Sequence, residues 1–335
     1  MENKKLKFPA HNLLRLAVLL VMFAVSPGDS SAQTGVARVG VLSFSAIEDD
    51  PNLQAVMPIF QRALADRGWV DGKNVNFVFG DAGSDPARFA AAAVELSQAN
   101  VDVIFATSAP ALRAAHAATK RIPIVAGDFT TDPVAEGYIE SFARPGGNIT
   151  GIFLDAPEFA GKWFEILQAM VADLSRVSVL WDPGPGTTHL QAVRSVAASL
   201  SVKIQVLEVK KPADLENAFS ALSGPPQALI LLPSPMIYNQ SASLARLASK
   251  HKLLAISMAR EFATAGGLLA YGPERASAWE RGGVFVARIL EGSDPAVLPV
   301  EQPIKIQLVV NMKTARMLGV SIPESIFLRA DEVIE

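Results

Sequence analysis

From Arg38 onward the chain alternates short β-branched runs with stretches of helical periodicity, and it does so in two successive series. No other feature constrains the fold as much. A parallel strand pair needs a crossover of a dozen or more residues, usually a helix, so this alternation builds parallel sheets covered on both faces. In the first series Arg38–Ser43 (RVGVLS) reads as a buried strand. Asn52–Gly68 reads as a helix with Leu53, Val56, Met57, Phe60 and Leu64 on one face. Pro58 is expected to bend or delay that helix. Asn74–Phe79, Val101–Ala106 and Ile122–Ala126 read as strands, and Asp85–Ala99, Ala109–Thr119 and Pro133–Phe142 as helices.

The second series begins with a helix, Phe159–Met170. Strands follow at Val177–Trp181, Lys203–Val209, Ala228–Leu232, Leu253–Ser257 and Gly267–Tyr271, with helices at Leu190–Leu200, Asp214–Leu222 and Ser241–Lys250. Then come a long helix, Glu274–Leu290, an extended Pro295–Pro303, a strand-like Ile304–Val310 and a short helix, Met312–Leu318. The prediction is an α/β protein of two Rossmann-like lobes with parallel sheets. The first lobe spans 36–150 with a return over about 274–303. The second spans 151–273 with a tail over about 304–335. Several crossings between lobes make a hinge, and a hinge over a cleft suits capture of a small molecule.

The first 32 residues stand apart from this pattern. Lys4, Lys5, Lys7 and Arg15 precede an apolar run, Leu16–Val25, which is shorter than the roughly 20 residues of a spanning helix. Ser30, Ser31 and Ala32 then supply the small residues of a cleavage site. The expectation is a secretory signal peptide cut after Ala32. The chain has no cysteine, which excludes disulfides, thiol chemistry and a lipidated cysteine. The expected location is the periplasm, without a stable membrane anchor. Net charge is −3 and no basic patch is visible, so nucleic acid is not an expected partner.

No catalytic arrangement is present. The four histidines (His11, His116, His189, His251) are dispersed. There is no HExxH, CxxC, GxSxG or P-loop motif, and the first strand–helix turn, Gly40–Glu48, lacks GxGxxG. No catalytic residue, metal or cofactor is expected. In open parallel sheets, ligands lie beyond the carboxyl ends of the strands. That rule selects Ser43, Phe44 and Ser45 after the first strand, and Thr107 and Ser108 at the start of the helix Ala109–Thr119. Free N–H groups and a hydroxyl there can hold a carboxylate, although either residue can instead be a helix cap. Asp128, Phe129 and Asp132 follow the next strand. An Asp facing a cleft can pair with an ammonium group, while Asp132 before Pro133 can equally cap a helix. In the second half the rule selects Asp182, Ser234, Tyr238 and Glu261. Tyr238 either covers an apolar ligand group or packs on its own helix. Tyr271, at a lobe crossing, is hinge packing or cleft wall, and Arg144 is read as a helix C-terminal charge.

Several motifs stand in one order and spacing: RGWVDGKNV at Arg67–Val75, DPV with ARPGGNITG at Asp132–Gly151, SRVSVLWDP at Ser175–Pro183, YGP at Tyr271–Pro273, LPVEQP at Leu298–Pro303 and RADEVIE at Arg329–Glu335. Together they resemble the periplasmic substrate-binding proteins of ABC transporters, of the tryptophan/tyrosine-uptake type. The resemblance implies a type I periplasmic-binding-protein-like fold. It implies a monomeric receptor that closes on a solute, an amino acid or related small carboxylate, and passes it to a permease with its ATPase. The alternative on the same fold is a secreted or periplasmic enzyme, or the input subunit of a sensor.

Overall fold

The computed structural model describes residues 35–335 except 84, 130–131, 155, 223–226 and 303–304, so the expected signal peptide lies outside the described residues. The first sheet holds β1 (Ala37–Ser43), β2 (Val75–Asp81), β3 (Val103–Ala106), β4 (Ile124–Phe129) and β5 (Ile149–Phe153). Their order is β2-β1-β3-β4-β5 and every pair is parallel. β3 is buried throughout and β1 at all positions but Arg38, as a parallel sheet covered on both faces requires. Helices α1 (Pro51–Ala65), α2 (Phe89–Gln98) and α3 (Ala109–Ala118) connect these strands.

α1 begins where Asp50 accepts hydrogen bonds from the N–H groups of Asn52 and Leu53, with Pro51 at the first helical position. Pro58 neither delays nor ends it. That residue lies on the exposed side, where water can meet the carbonyl left without a donor.

The second sheet is built from β6 (Arg176–Trp181), β7 (Lys203–Glu208), β8 (Ala228–Leu231), β9 (Ala255–Ser257), β10 (Leu269–Pro273), β11 (Ile306–Asn311) and β12 (Glu332–Ile334). The order is β12-β11-β10-β9-β8-β6-β7. β11 runs antiparallel to β10, so this sheet is mixed and not purely parallel. Its core is closed by α4 (Ala156–Met170), which buries Phe159, Trp163, Phe164, Ile166 and Leu167. α5 (Thr188–Ser199), α6 (Leu215–Ser220), α7 (Pro235–Asn239), α8 (Ser241–Lys250) and α9 (Arg260–Thr264) complete the series.

α10 (Arg275–Leu290) does not stay with the second sheet. Phe285, Val286, Ile289 and Leu290 join the core of the first, against Phe60 and Leu64 of α1. The approach is close: a Cβ on Gly283 would lie 2.7 Å from the Phe60 carbonyl oxygen. The chain then passes Glu301, whose backbone bonds to Gly151 and Phe153 of β5 at 3.0 and 2.8 Å, and returns to β11. α11 (Met312–Leu318) and α12 (Glu324–Phe327) follow before β12. The chain therefore passes between the two sheets three times: after β5, after β10 and before β11.

Two local expectations are corrected. Pro133–Phe142 is not a helix. Asp132 caps one turn, and Gly137 at φ 72° ends it. The Tyr138 and Gly137 N–H groups return to the carbonyls of Pro133 and Val134, the paired bonds that terminate helices. Pro295–Pro303 is not extended throughout, since Pro295–Val297 forms a 3-10 turn capped by Asp294. In the GGNITG motif, Gly151 holds φ 146° where β5 meets a bulge of β4. A Cβ there would stand 2.1 Å from the Ala126 carbonyl oxygen, so only glycine fits.

His189 of α5 is buried beside Trp163, with ring centroids 6.5 Å apart, and its Nε2 has no hydrogen-bond partner among the described residues. Burial pushes its pKa down to about 4. Protonation is thus disfavoured in the fold and not in the unfolded chain. Its contribution to stability is fully present above the unfolded value near 6.5. It is lost as pH falls toward about 4, by roughly 3 kcal/mol in total. Denaturant titrations between pH 7 and 4 should show this loss in the wild type, and His189→Gln should flatten it. Equal pH dependence in both proteins would refute the assignment.

Candidate ligand-binding cleft

The carboxyl ends of β1, β3 and β4 face those of β6, β8 and β10, and the loops that follow them enclose a cavity. One chamber of about 100 Å³ is walled by Phe44, Leu53, Pro110, Pro185, Pro233, Pro235 and Trp279, with Asp50, Thr107, Ser108, Asp128, Ser234, Tyr238, Asn239 and Arg275 as its polar groups. A second chamber of about 480 Å³ adjoins it. Thr107, Asp128, Tyr238, Arg275 and Trp279 line both. Four prolines give the first chamber rigid apolar walls without N–H groups.

Trp279 is fixed by packing. Its ring stands edge-on to Phe105 at 5.2 Å and to Phe60 at 6.1 Å. One part of the polar set is the start of α3. Ser108 is at the N-cap position and buried, yet its side chain makes no capping bond and its hydroxyl has no partner among the described residues. The first-turn N–H groups of Ala109 and Ala111 have no carbonyl one turn back within the helix, and Pro110 contributes none. Thr107 differs, for its hydroxyl donates to the Leu42 carbonyl at 3.0 Å.

A neighbouring part is acidic, at the end of β4, which pairs with β3. Asp128 lies at the close of β4, beside Tyr238, whose phenol is pushed above its ordinary value by burial and then by the Asp128 charge. Arg275 at the start of α10 pairs with Glu261 at 3.2 Å. Asp50 accepts from Asn239 Nδ2 at 3.2 Å in addition to its two backbone bonds. Among the described residues, no group of three His, Asp or Glu side chains is arranged to hold a metal ion.

Of the residues selected by sequence, Phe44, Thr107, Ser108, Asp128, Ser234, Tyr238 and Glu261 come together around the two chambers. Ser43, Ser45, Asp132, Asp182 and Tyr271 are not among the lining residues, and Phe129 closes β4. The Ser43 hydroxyl donates to the Ser45 carbonyl at 2.8 Å, and Ser45 Oγ accepts from Asn239 at 3.3 Å. Asp132 is exposed and caps its turn. Asp182 accepts from the Gly184 N–H at 2.8 Å and from Ser234, and burial raises its pKa. Tyr271 packs against Phe159, and its carbonyl accepts from the Trp163 indole at 2.9 Å.

Sequence reasoning missed Asp50, Asn239, Arg275 and Trp279. The strand-end rule would have reached Arg275 had it been applied beyond β10, where the chain enters α10.

The profile of the ABC transporter substrate binding protein family matches residues 38–334. The tyrosine-binding protein of Clostridioides difficile is 24% identical over 281 residues, 83% of this chain and 80% of that protein. A conserved domain protein of Vibrio cholerae has a crystal structure of TM-score 0.81 and 25% identity, covering 89% of this chain and 99% of that one. The ABC domain of Streptococcus pneumonia in complex with L-Trp gives a TM-score of 0.79 at 23% identity, with the same coverage. With nearly all of its described residues inside the family profile, the chain belongs to the ABC transporter substrate binding proteins, a family that binds its substrates and does not transform them.

Proposed function

We propose that the protein captures an amino acid with an apolar, ring-bearing side chain in this cleft and delivers it to an ABC permease from the periplasm. The observation that carries this reading is the presence of two unlike groups in one cavity: a buried, uncapped Ser108 hydroxyl at a helix N-terminus, and the Asp128 carboxylate. A zwitterion must desolvate both of its charges in a closed cleft, and each needs its own complement. The start of α3 receives the carboxylate and Asp128 the ammonium. The flat walls of Pro110, Pro185, Pro233, Pro235 and Trp279 suit a ring, and the relatives named for tyrosine and crystallised with L-Trp agree with that chemistry.

In this reading residues 36–150 with about 274–303 form one lobe, and 151–273 with about 304–335 the other. The lobes close on the ligand, the protein acts as a monomer, and export removes residues 1–32.

Calorimetry with L-tryptophan and L-tyrosine tests the ligand class, with benzoate as an aromatic carboxylate that lacks the ammonium. Binding of either amino acid with weaker or no binding of benzoate is expected. Benzoate bound as tightly as both amino acids would overturn the zwitterion assignment, and so would binding of neither amino acid. Closure is tested by solution scattering. A bound amino acid should shrink the radius of gyration, because only a ligand that contacts both lobes shifts the equilibrium. An unchanged profile at saturation would count against the clamp.

A further inference from the structure

Besides the Arg275–Glu261 pair, two sets of side-chain hydrogen bonds among the described residues cross from the first-sheet half of the molecule to the second. In the first set Asn239 of α7 bonds to Ser45 and Asp50, and Asn52 Nδ2 donates to Asn239 Oδ1 at 3.1 Å. Asn239 also lines the cavity, so its role mixes ligand contact and closure. The second set belongs to Arg113 of α3. Its Nη2 donates to the Gly184 carbonyl at 2.7 Å and its Nη1 to the Pro185 carbonyl at 2.9 Å, in the loop between β6 and α5. Arg113 is not among the residues lining either chamber.

The acceptor loop is held ready from its own side. Asp182 fixes the Gly184 N–H at 2.8 Å, and the Trp181 indole N–H donates to the Gly186 carbonyl at 3.0 Å. This accounts for Asp182, which the strand-end rule selected and which does not line the cavity. Two carbonyls are thereby presented side by side to a guanidinium, whose planar fork carries several N–H donors in fixed geometry. The elements on both sides of this contact also reach the cavity. α3 carries Ser108 about one and a half turns before Arg113, and the loop carries Pro185, a wall of the first chamber.

We infer that Arg113 is a latch: it holds the Pro185 loop over the bound solute in the closed molecule without touching the solute, and it sets how long the cleft stays shut. This rests on the clamp reading above. Its two hydrogen bonds exist only when the halves are together, so they bias closed against open, and a contact of that kind changes affinity through the conformational equilibrium. Losing them should weaken binding of L-tryptophan about tenfold, almost entirely through a faster off-rate. Arg113→Lys, a point charge that reaches one carbonyl at a time, should fall between the wild type and Arg113→Ala.

Because the chain has no cysteine, Gln98→Cys on α2 and Ser195→Cys on α5, both exposed, can be labelled selectively for distance measurement by electron paramagnetic resonance. The distance distribution is recorded with and without L-tryptophan, in the labelled chain that keeps Arg113 and in the same labelled chain carrying Arg113→Ala. Arg113→Ala should shift weight to longer distances in at least one condition while leaving the thermal midpoint nearly unchanged. Identical distributions in both conditions overturn the latch, whether or not L-tryptophan binds. A wild type that ignores L-tryptophan and yet opens in Arg113→Ala sinks the ligand assignment alone. A shift matched by a large loss of thermal stability assigns Arg113 a structural role and overturns the proposal too.

Discussion

Trp163→Ala is expected to destabilise the protein by about 3–5 kcal/mol. Trp163 is fully buried on α4, in the core of the second sheet. It packs near Phe159 and His189, and its indole N–H bonds to the Tyr271 carbonyl. Truncation removes the transfer energy of the ring, leaves a cavity and strands a buried acceptor. Trp163→Phe keeps most of the volume and loses the hydrogen bond, so it should cost about 1–3 kcal/mol. Denaturant unfolding followed by circular dichroism checks both, since fluorescence would change with the substitution itself. A loss under about 1 kcal/mol for the alanine variant would show that this core collapses around the gap.

Asp128→Asn should cost about 2–5 kcal/mol of affinity for L-tryptophan, because it leaves a desolvated ammonium without its counter-charge. Ser108→Ala should cost less, about 0.5–1.5 kcal/mol for one hydrogen bond and up to about 3 where the partner is charged. Benzoate, which has no ammonium, should lose little or nothing in the Asp128 variant and as much as L-tryptophan in the Ser108 variant. Calorimetry on both variants with both ligands gives the ordering. Equal affinity of the folded Asp128→Asn variant and the wild type for L-tryptophan would remove Asp128 from the ammonium role.

The alternation of strands and helices was legible because each segment's burial is written into its own residues. Val39–Leu42 and Ala228–Leu232 are short, fully apolar runs, as strands covered on both faces require. What was illegible is non-local. No periodicity in Arg275–Leu290 says that it packs on α1 and not on the sheet it has just left. No local signal makes β11 antiparallel to β10. The Pro133–Phe142 segment has a helical composition, but one glycine in the left-handed region ends it after a turn, and a glycine's φ is set by its surroundings.

The site divided along the same line. Thr107, Ser108, Asp128 and Tyr238 stand at strand ends, where topology alone puts a ligand. Whether Ser108 caps its helix or leaves its hydroxyl to the cavity depends on side-chain geometry. Arg113 stands well inside its helix, and its partners are carbonyl oxygens about seventy residues away. Backbone acceptors carry no side-chain signature, so no motif could announce that contact.

The three passages of the chain between its sheets also govern the order of assembly. The face of α1 that receives α10 belongs to residues 51–65, while its cover is made of residues 275–290. A nascent chain released in order from the amino terminus therefore holds Phe60 and Leu64 uncovered until more than two hundred further residues have emerged. The face of the first sheet against α1 is therefore completed only when the second sheet is nearly finished, while its other face packs with α2 and α3 from the start. Shortening the chain before residue 275 would not yield one finished half and one missing half. It would leave both unfinished, with β10 lacking β11 at its edge and α1 lacking its roof.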